Sequence, residues 1–192
     1  MALASPHDAK LVLARLKTEG YQPILIGGLA IEIAGYGGTR DVDVLLPEAE
    51  YGGVEFLRGG GIEVLSNTGH FTNGHLRLAN GRTIVWDVLN PVPFGGEAFY
   101  QFVATEGSRM TPVGRVANPS VVYYTRLLVE GEHGARYVLR IRRDLDEGAP
   151  LAWLEGTLKI AERFGTLPLV RPKVQRILRA RRPKAERSTR PR

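Results

Sequence analysis

The sequence contains no cysteine. This absence excludes a disulfide scaffold, a cysteine-ligated zinc site and a cysteine nucleophile. The chain also lacks an apolar run approaching the roughly 20 residues that cross a bilayer. Its N-terminus lacks the charged segment followed by an apolar one that marks a signal peptide. We therefore expect a cytoplasmic protein that makes no contact with a membrane.

Acidic residues are scarce at the C-terminal end of the chain. The 192 residues carry 26 Lys and Arg against 20 Asp and Glu, a formal net charge of +6. Residues 171–192 hold ten of the basic residues and one of the acidic ones, a net of +9. That leaves 16 against 19, a net of −3, for residues 1–170. A basic end on a mildly acidic body is typical of a solvated terminus that binds nothing specific, and the alternative is contact with an anionic partner such as RNA.

Short apolar runs separated by glycine, proline and asparagine indicate strands in the first half of the chain. The predicted strands cover residues 23–26, 41–46, 62–65, 75–79 and 82–89. Residues 67–73 are polar and are predicted to form a loop. Asn80-Gly81 predicts a two-residue type I′ turn between the last two strands.

Helical patterns flank these strands and fill the C-terminal third. The predicted helices cover residues 5–20, 29–34, 47–57, 118–129, 136–145 and 151–164, and Val174, Ile177 and Leu178 form a further helical stripe. Because hairpins dominate after residue 60, the pattern favours an α+β fold in which helices flank a mixed, hairpin-containing sheet. We divide the chain into an α/β core (1–116), a helical C-terminal part (117–168) and a partly disordered basic tail (169–192).

Three aspartates fall on two of the predicted strands. Alternate side chains of a strand share a face, so Asp41 and Asp43 point the same way, with Val42 on the opposite face. Two carboxylates on the same face of a strand, two residues apart, repel each other unless a cation lies between them. Mg²⁺ prefers oxygen ligands of this kind. Asp87 lies in a strand of apolar residues, where an unpartnered carboxylate is costly to bury. The alternative for Asp87 is a strand-end residue that binds backbone amides.

Two consecutive glycines stand between a predicted strand and a predicted helix. Gly27 and Gly28 bring the backbone N–H groups of a helix start close to an anion such as a triphosphate. The alternative is a tight strand-to-helix turn with no ligand. The Gly-x-Gly-x-x-Gly spacing of a dinucleotide site is absent.

Taken together, these motifs resemble the nucleotidyltransferase superfamily that includes the DNA polymerase β-like and minimal nucleotidyltransferases. They resemble in particular the bacterial abortive-infection toxin-type members. The resemblance is carried by the apolar run and glycine pair at residues 24–28, by Asp41-Val42-Asp43 on the next strand, and by a third aspartate, Asp87.

The resemblance implies a nucleotidyltransferase fold and transfer of a nucleoside monophosphate from an NTP, such as ATP, to an acceptor hydroxyl. The acceptor is RNA, a protein or a small molecule, and pyrophosphate is released. Asp41, Asp43 and Asp87 are then the catalytic and Mg²⁺-binding residues, and Gly27, Gly28, Thr39 and Arg126 are the residues that bind the nucleotide. An antitoxin partner is a further implication.

A second interpretation keeps the scaffold without the chemistry. In that case the protein is a catalytically inactive nucleotidyltransferase-fold protein that binds nucleic acid or another partner, using the basic end of the chain. Folds host sites that can lose their chemistry, so fold alone does not decide between the two.

Overall fold

The structure is a computed structural model that describes residues 4–37, 41–51, 53, 62–67 and 71–180. The chain divides into two compact units, Met1–Val122 and Tyr123–Arg192. The first unit contains the sheet and the second is helical. The division falls six residues beyond the boundary predicted after residue 116.

Seven strands in the described part of the first unit form one mixed sheet, in the order β3-β4-β5-β2-β1-β7-β6. These strands are β1 (Ile24–Ile26), β2 (Val42–Leu45), β3 (Ile62–Asn67), β4 (Phe71–Arg77), β5 (Thr83–Leu89), β6 (Ser108–Thr111) and β7 (Gly114–Ala117). β2 pairs in parallel with β5, and β1 pairs in parallel with β7, whereas the other neighbours are antiparallel. The predicted α+β class with a mixed, hairpin-containing sheet is confirmed.

The helices of the first unit follow from local signals. They are α1 (Pro6–Thr18), α2 (Gly27–Ile33), α3 (Glu48–Tyr51), a 3-10 helix (Val92–Phe94) and α4 (Gly96–Thr105). Ser5 caps α1 and forms a capping box with Asp8. α1 and α2 pack against β1 and β2, and α1 buries Val12, Leu13 and Leu16 there. The predicted helix over 47–57 is present as α3, and most of its remainder lies outside the described residues.

The predicted loop over residues 67–73 is wrong at both ends. Asn67 is the last residue of β3, and β4 starts at Phe71. β4 pairs with β5 along its whole length, so each of its polar residues has a register partner on β5. Gly74 lies opposite Trp86, and a β-carbon at Gly74 would overlap the indole ring. Gly74 therefore makes room for the buried side chain of Trp86.

The turn between β4 and β5 also differs from the prediction. Leu78 N donates to Arg82 O at 2.8 Å, and Gly81 N donates to Leu78 O at 3.0 Å. Gly81 has φ +80°, whereas no non-glycine residue in the described ranges has a positive φ. A type I′ turn needs positive φ at both central residues, and Asn80 does not supply it. The hairpin instead closes through a three-residue loop, with glycine in the left-handed position.

The second unit is a group of helices. The helix α5 (Pro119–Leu128) contains the division between the units, and α6 (Gly131–Asp146), α7 (Ala152–Arg163) and α8 (Leu167–Ala180) follow it. α8 packs against both α6 and α7. The residues from 169 to 180, predicted as the start of the basic tail, are thus part of a helix, and 181–192 lie outside the described residues. Within the part of the chain that the structure describes, no helix is long and apolar enough to span a membrane.

Candidate active site

Two of the three predicted aspartates lie side by side in the sheet. Asp43 on β2 is the direct register partner of Asp87 on β5. Neighbouring strands lie roughly 4.8 Å apart, and register partners on parallel strands point to the same face. On β5, Ile84, Trp86 and Val88 are buried, whereas Asp87 is only half-buried on the other face. This is the alternation that the sequence predicts.

Gly27 lies directly against the carboxylate of Asp43. Ile26, the last residue of β1, is the register partner of Asp43, so the start of α2 passes beside this side chain. Gly27 has φ +75°, and a β-carbon on it would overlap the Asp43 carboxylate. Gly28 N donates a hydrogen bond to Asp43 Oδ2 at 3.2 Å. The glycine pair does place a backbone N–H group on an anion, and in this structure that anion is Asp43.

Asp87 is held from the other side by a residue that the sequence analysis missed. Asn73 on β4 is the register partner of Asp87, and its Nδ2 donates to Asp87 Oδ1 at 2.5 Å. The residue falls in the segment predicted as a loop. The signal that finds it is the hairpin register, because counting back from the three-residue loop at 79–81 places Asn73 opposite Asp87.

Asp41 precedes β2 and is half-buried. Burial raises the pKa of Asp87 above its ordinary value, the hydrogen bond from Asn73 lowers it, and the charge of Asp41 raises it further. The overall pKa shift of Asp87 is upward. Asp87 is therefore influenced by the charge of Asp41 and lies beside Asp43 in the sheet.

These three carboxylates match the donor chemistry that Mg²⁺ requires. Burial and the charge of Asp41 disfavour the ionised form of Asp87, a form that a bound cation would stabilise. Across the described ranges, no group of three or more His, Asp or Glu side chains is arranged to hold a metal ion. Asp43 is turned toward the backbone of Gly28 in this structure.

Thr39 and Arg126 are the other two residues predicted to bind the nucleotide. Thr39 lies outside the described residues. Arg126 belongs to the second unit, where its side chain is 5% exposed and its guanidinium lies 5.6 Å from the centre of the Tyr137 ring. Burial raises the pKa of Asp144, and the charge of Arg126 acts against that rise. The role of Arg126 toward a triphosphate stays a prediction.

No family model matches the sequence, and no curated protein matches it. Solved structures do. An antigenic nucleotidyltransferase-like protein from Paracoccidioides brasiliensis is 14% identical, with a TM-score of 0.44, over 93% of this chain and 95% of that one. A proposed nucleotidyltransferase from H. pylori is 13% identical, with a TM-score of 0.41, over 82% of this chain and 87% of that one. JHP933 from Helicobacter pylori is 12% identical, with a TM-score of 0.42, over 93% and 94%.

The chain is similar to nucleotidyltransferase-like proteins. Each of these matches covers more than four fifths of this chain.

Proposed function

We propose that this protein is a Mg²⁺-dependent nucleotidyltransferase that transfers a nucleoside monophosphate from an NTP to an acceptor hydroxyl. The observation that carries the proposal is the pairing of Asp43 with Asp87 on adjacent parallel strands, with Asp41 two residues ahead of Asp43. Two carboxylates thus lie side by side on the sheet, and the charge of the third, Asp41, acts on Asp87. A glycine backbone on one side and an asparagine on the other hold two of them.

In the proposed reaction, the acceptor oxygen forms a bond to the α-phosphorus of the NTP. The bond from that phosphorus to the oxygen bridging the α- and β-phosphates breaks, and pyrophosphate leaves with the bridging oxygen. The proton of the acceptor hydroxyl passes to a carboxylate. Bound Mg²⁺ supplies charge neutralisation at the triphosphate and polarises the α-phosphorus.

Asp41 and Asp43 are the residues that would hold Mg²⁺. Asp87 either completes this site or accepts the proton of the acceptor hydroxyl. Burial raises the pKa of Asp87, which makes its carboxylate a stronger base and supports the second role. Gly27, whose β-carbon would overlap the Asp43 carboxylate, and the N–H group of Gly28 hold that carboxylate in place. Membership of a toxin–antitoxin pair stays a prediction from the resemblance.

The test is label transfer from α-³²P-labelled NTPs to a cell extract in the presence of Mg²⁺. The wild type is compared with Asp43→Asn and Asp87→Asn, and with Asp146→Asn as a matched control on the exposed surface of α6. We expect the two site variants to lose about a hundredfold or more in rate, because each loses a ligand or base of the transition state. We expect the control to keep its rate. Equal label transfer by the wild type and both site variants would overturn the proposal.

A further inference from the structure

The solvent-facing side of α8 carries three arginines, Arg171, Arg176 and Arg179, which we call the α8 arginine face. All three side chains are exposed. The opposite side of the helix buries Val170, Val174 and Ile177 in the second unit. α8 contains no acidic residue, so no charge within the helix offsets these three.

The fourth basic residue of α8 serves a different purpose. Lys173 Nζ donates to the carbonyl oxygens of Leu127 at 2.5 Å and of Val129 at 3.2 Å. It therefore caps the C-terminal end of α5, where carbonyl groups lack partners within the helix. Because Lys173 is already bound to these carbonyl groups, we do not count it in the α8 arginine face.

The arginines of α6 provide an internal comparison. Three of them pair with an acidic residue four positions away on the same helix: Arg136 with Glu132 at 4.0 Å, Arg142 with Asp146 at 3.7 Å, and Arg143 with Glu147 at 3.3 Å. In the ranges that the structure describes, no arginine of the α8 face forms an ion pair of this kind. An acidic residue on the same helix thus offsets the charge of three of the four α6 arginines, whereas these ion pairs offset none of the α8 arginine face.

We propose that the α8 arginine face binds the phosphodiester backbone of a nucleic acid. From Arg171 to Arg179 the helix rises about 12 Å, so the guanidinium groups are spread along the axis and can reach several phosphates. The sequence continues beyond α8 with six basic residues and one acidic residue in 181–192.

A membrane surface fits α8 less well than a nucleic acid does. A helix that lies on a membrane inserts an apolar face, and the apolar face of α8 is already buried in the second unit. Its two exposed leucines, Leu169 and Leu178, are nine residues apart and so lie on opposite sides of the helix. They form no continuous strip that could enter lipid.

The test measures binding of the full chain to a fluorescent 20-nucleotide RNA, single-stranded and duplex, across a salt titration. The test variant is Arg171→Gln, Arg176→Gln, Arg179→Gln. The matched control is Arg136→Gln, Arg142→Gln, Arg143→Gln, which removes the same charge from the same unit. A thermal melt of each variant establishes that it is folded, and anionic lipid vesicles serve as the competing surface. The readout is binding, so it is independent of nucleotidyl transfer.

We expect the α8 triple variant to bind roughly tenfold or more weakly at about 50 mM salt. The slope of log K against log salt should become less steep by about 2 to 3, since each lost phosphate contact contributes about 0.7 to 0.9. The α6 triple variant should bind within about twofold of the wild type. The proposal is overturned if the α8 variant binds like the wild type, if both triple variants weaken equally, or if vesicles bind through this face and RNA does not.

Discussion

Asn73 on β4 donates a hydrogen bond to Asp87 on β5, and Asp87 in turn lies opposite Asp43 on β2. The three side chains form one row across the sheet, perpendicular to the strands. In this row Asn73, at one end, orients the carboxylate of Asp87 through a hydrogen bond to its Oδ1 atom. Asn73 is therefore a positioning residue for the carboxylate that the proposed reaction uses.

Replacing Asn73 should lower the rate of nucleotidyl transfer while leaving the fold in place. In Asn73→Ala the Asp87 side chain loses the donor that orients it, and we expect a loss on the order of tenfold in kcat, because a hydrogen bond to a charged group contributes about 1.5–3 kcal/mol. Asn73→Asp should be worse, since it adds a negative charge beside Asp87. Steady-state kinetics of both variants check this. Wild-type kcat in Asn73→Ala would contradict the positioning role.

Gly27 is expected to be intolerant of any side chain. Gly27→Ala combines a left-handed backbone, which costs a non-glycine residue about 1–2 kcal/mol, with overlap of the new β-carbon on the Asp43 carboxylate. We expect this variant to lose both stability and transfer activity.

The matched control is Gly81→Ala. Gly81 has a similar φ of +80°, but a β-carbon there meets no atom within 4 Å. We expect Gly81→Ala to lower the free energy of unfolding by about the same 1–2 kcal/mol for its left-handed backbone. We expect its transfer activity to be unchanged. Urea unfolding of Gly27→Ala and Gly81→Ala measures the cost of the left-handed backbone. Label transfer by the two variants measures the effect of displacing Asp43, which only Gly27→Ala would cause. Equal activity in the two variants would show that the contact between Gly27 and Asp43 has no role.

The buried Asp8 should make stability depend on pH at the acidic end. Burial alone would raise the pKa of Asp8, but hydrogen bonds from Ser5 and Arg82 lower it overall below its ordinary value of 3.8. The stability that the ionised group contributes is therefore fully present above about pH 3.8 and is lost as the pH falls through the lower pKa of the folded state.

Asp8→Asn should thus lower the free energy of unfolding at pH 7 by about 1–3 kcal/mol, because Arg82 loses its buried partner. The difference from wild type should shrink below pH 3.8. Glu63→Gln is the control, since it removes an exposed pair with Arg77 that contributes roughly 0–1 kcal/mol. Urea titrations at pH 7 and pH 3 measure the free energy of unfolding of the wild type and of both variants. A difference for Asp8→Asn that stays constant between these two pH values would contradict the account.

The two-residue periodicity of strands made the central part of the site predictable. The burial of Ile84, Trp86 and Val88 and the opposite orientation of Asp87 follow from the sequence of β5 alone. The Ser5 cap of α1 and the glycine pair that opens α2 are equally local signals. The pairing of β1 with β7 in parallel is not local, since it joins strands about 90 residues apart, and no short pattern encodes it.

Asn73 was missed because two local signals pointed the wrong way. The polar residues of 67–73 predict a loop, although β4 already begins at Phe71. The Asn80-Gly81 pair suggested a two-residue turn, although the loop has three residues. A two-residue turn at these positions shifts the register of the hairpin by one residue and places Gly74 opposite Asp87. Because a shift of one residue exchanges the two faces of a strand, the wrong turn type hides the residue that contacts the site.

The most direct measurement of the central claim is cation binding by the three aspartates, since it does not depend on knowing the acceptor. Mn²⁺, as a paramagnetic substitute for Mg²⁺, is titrated by electron paramagnetic resonance in the presence of a non-hydrolysable NTP. The account predicts binding by the wild type that Asp41→Asn and Asp43→Asn each weaken about tenfold or more, with Asp146→Asn unchanged. Equal binding by the wild type and all three variants would contradict it.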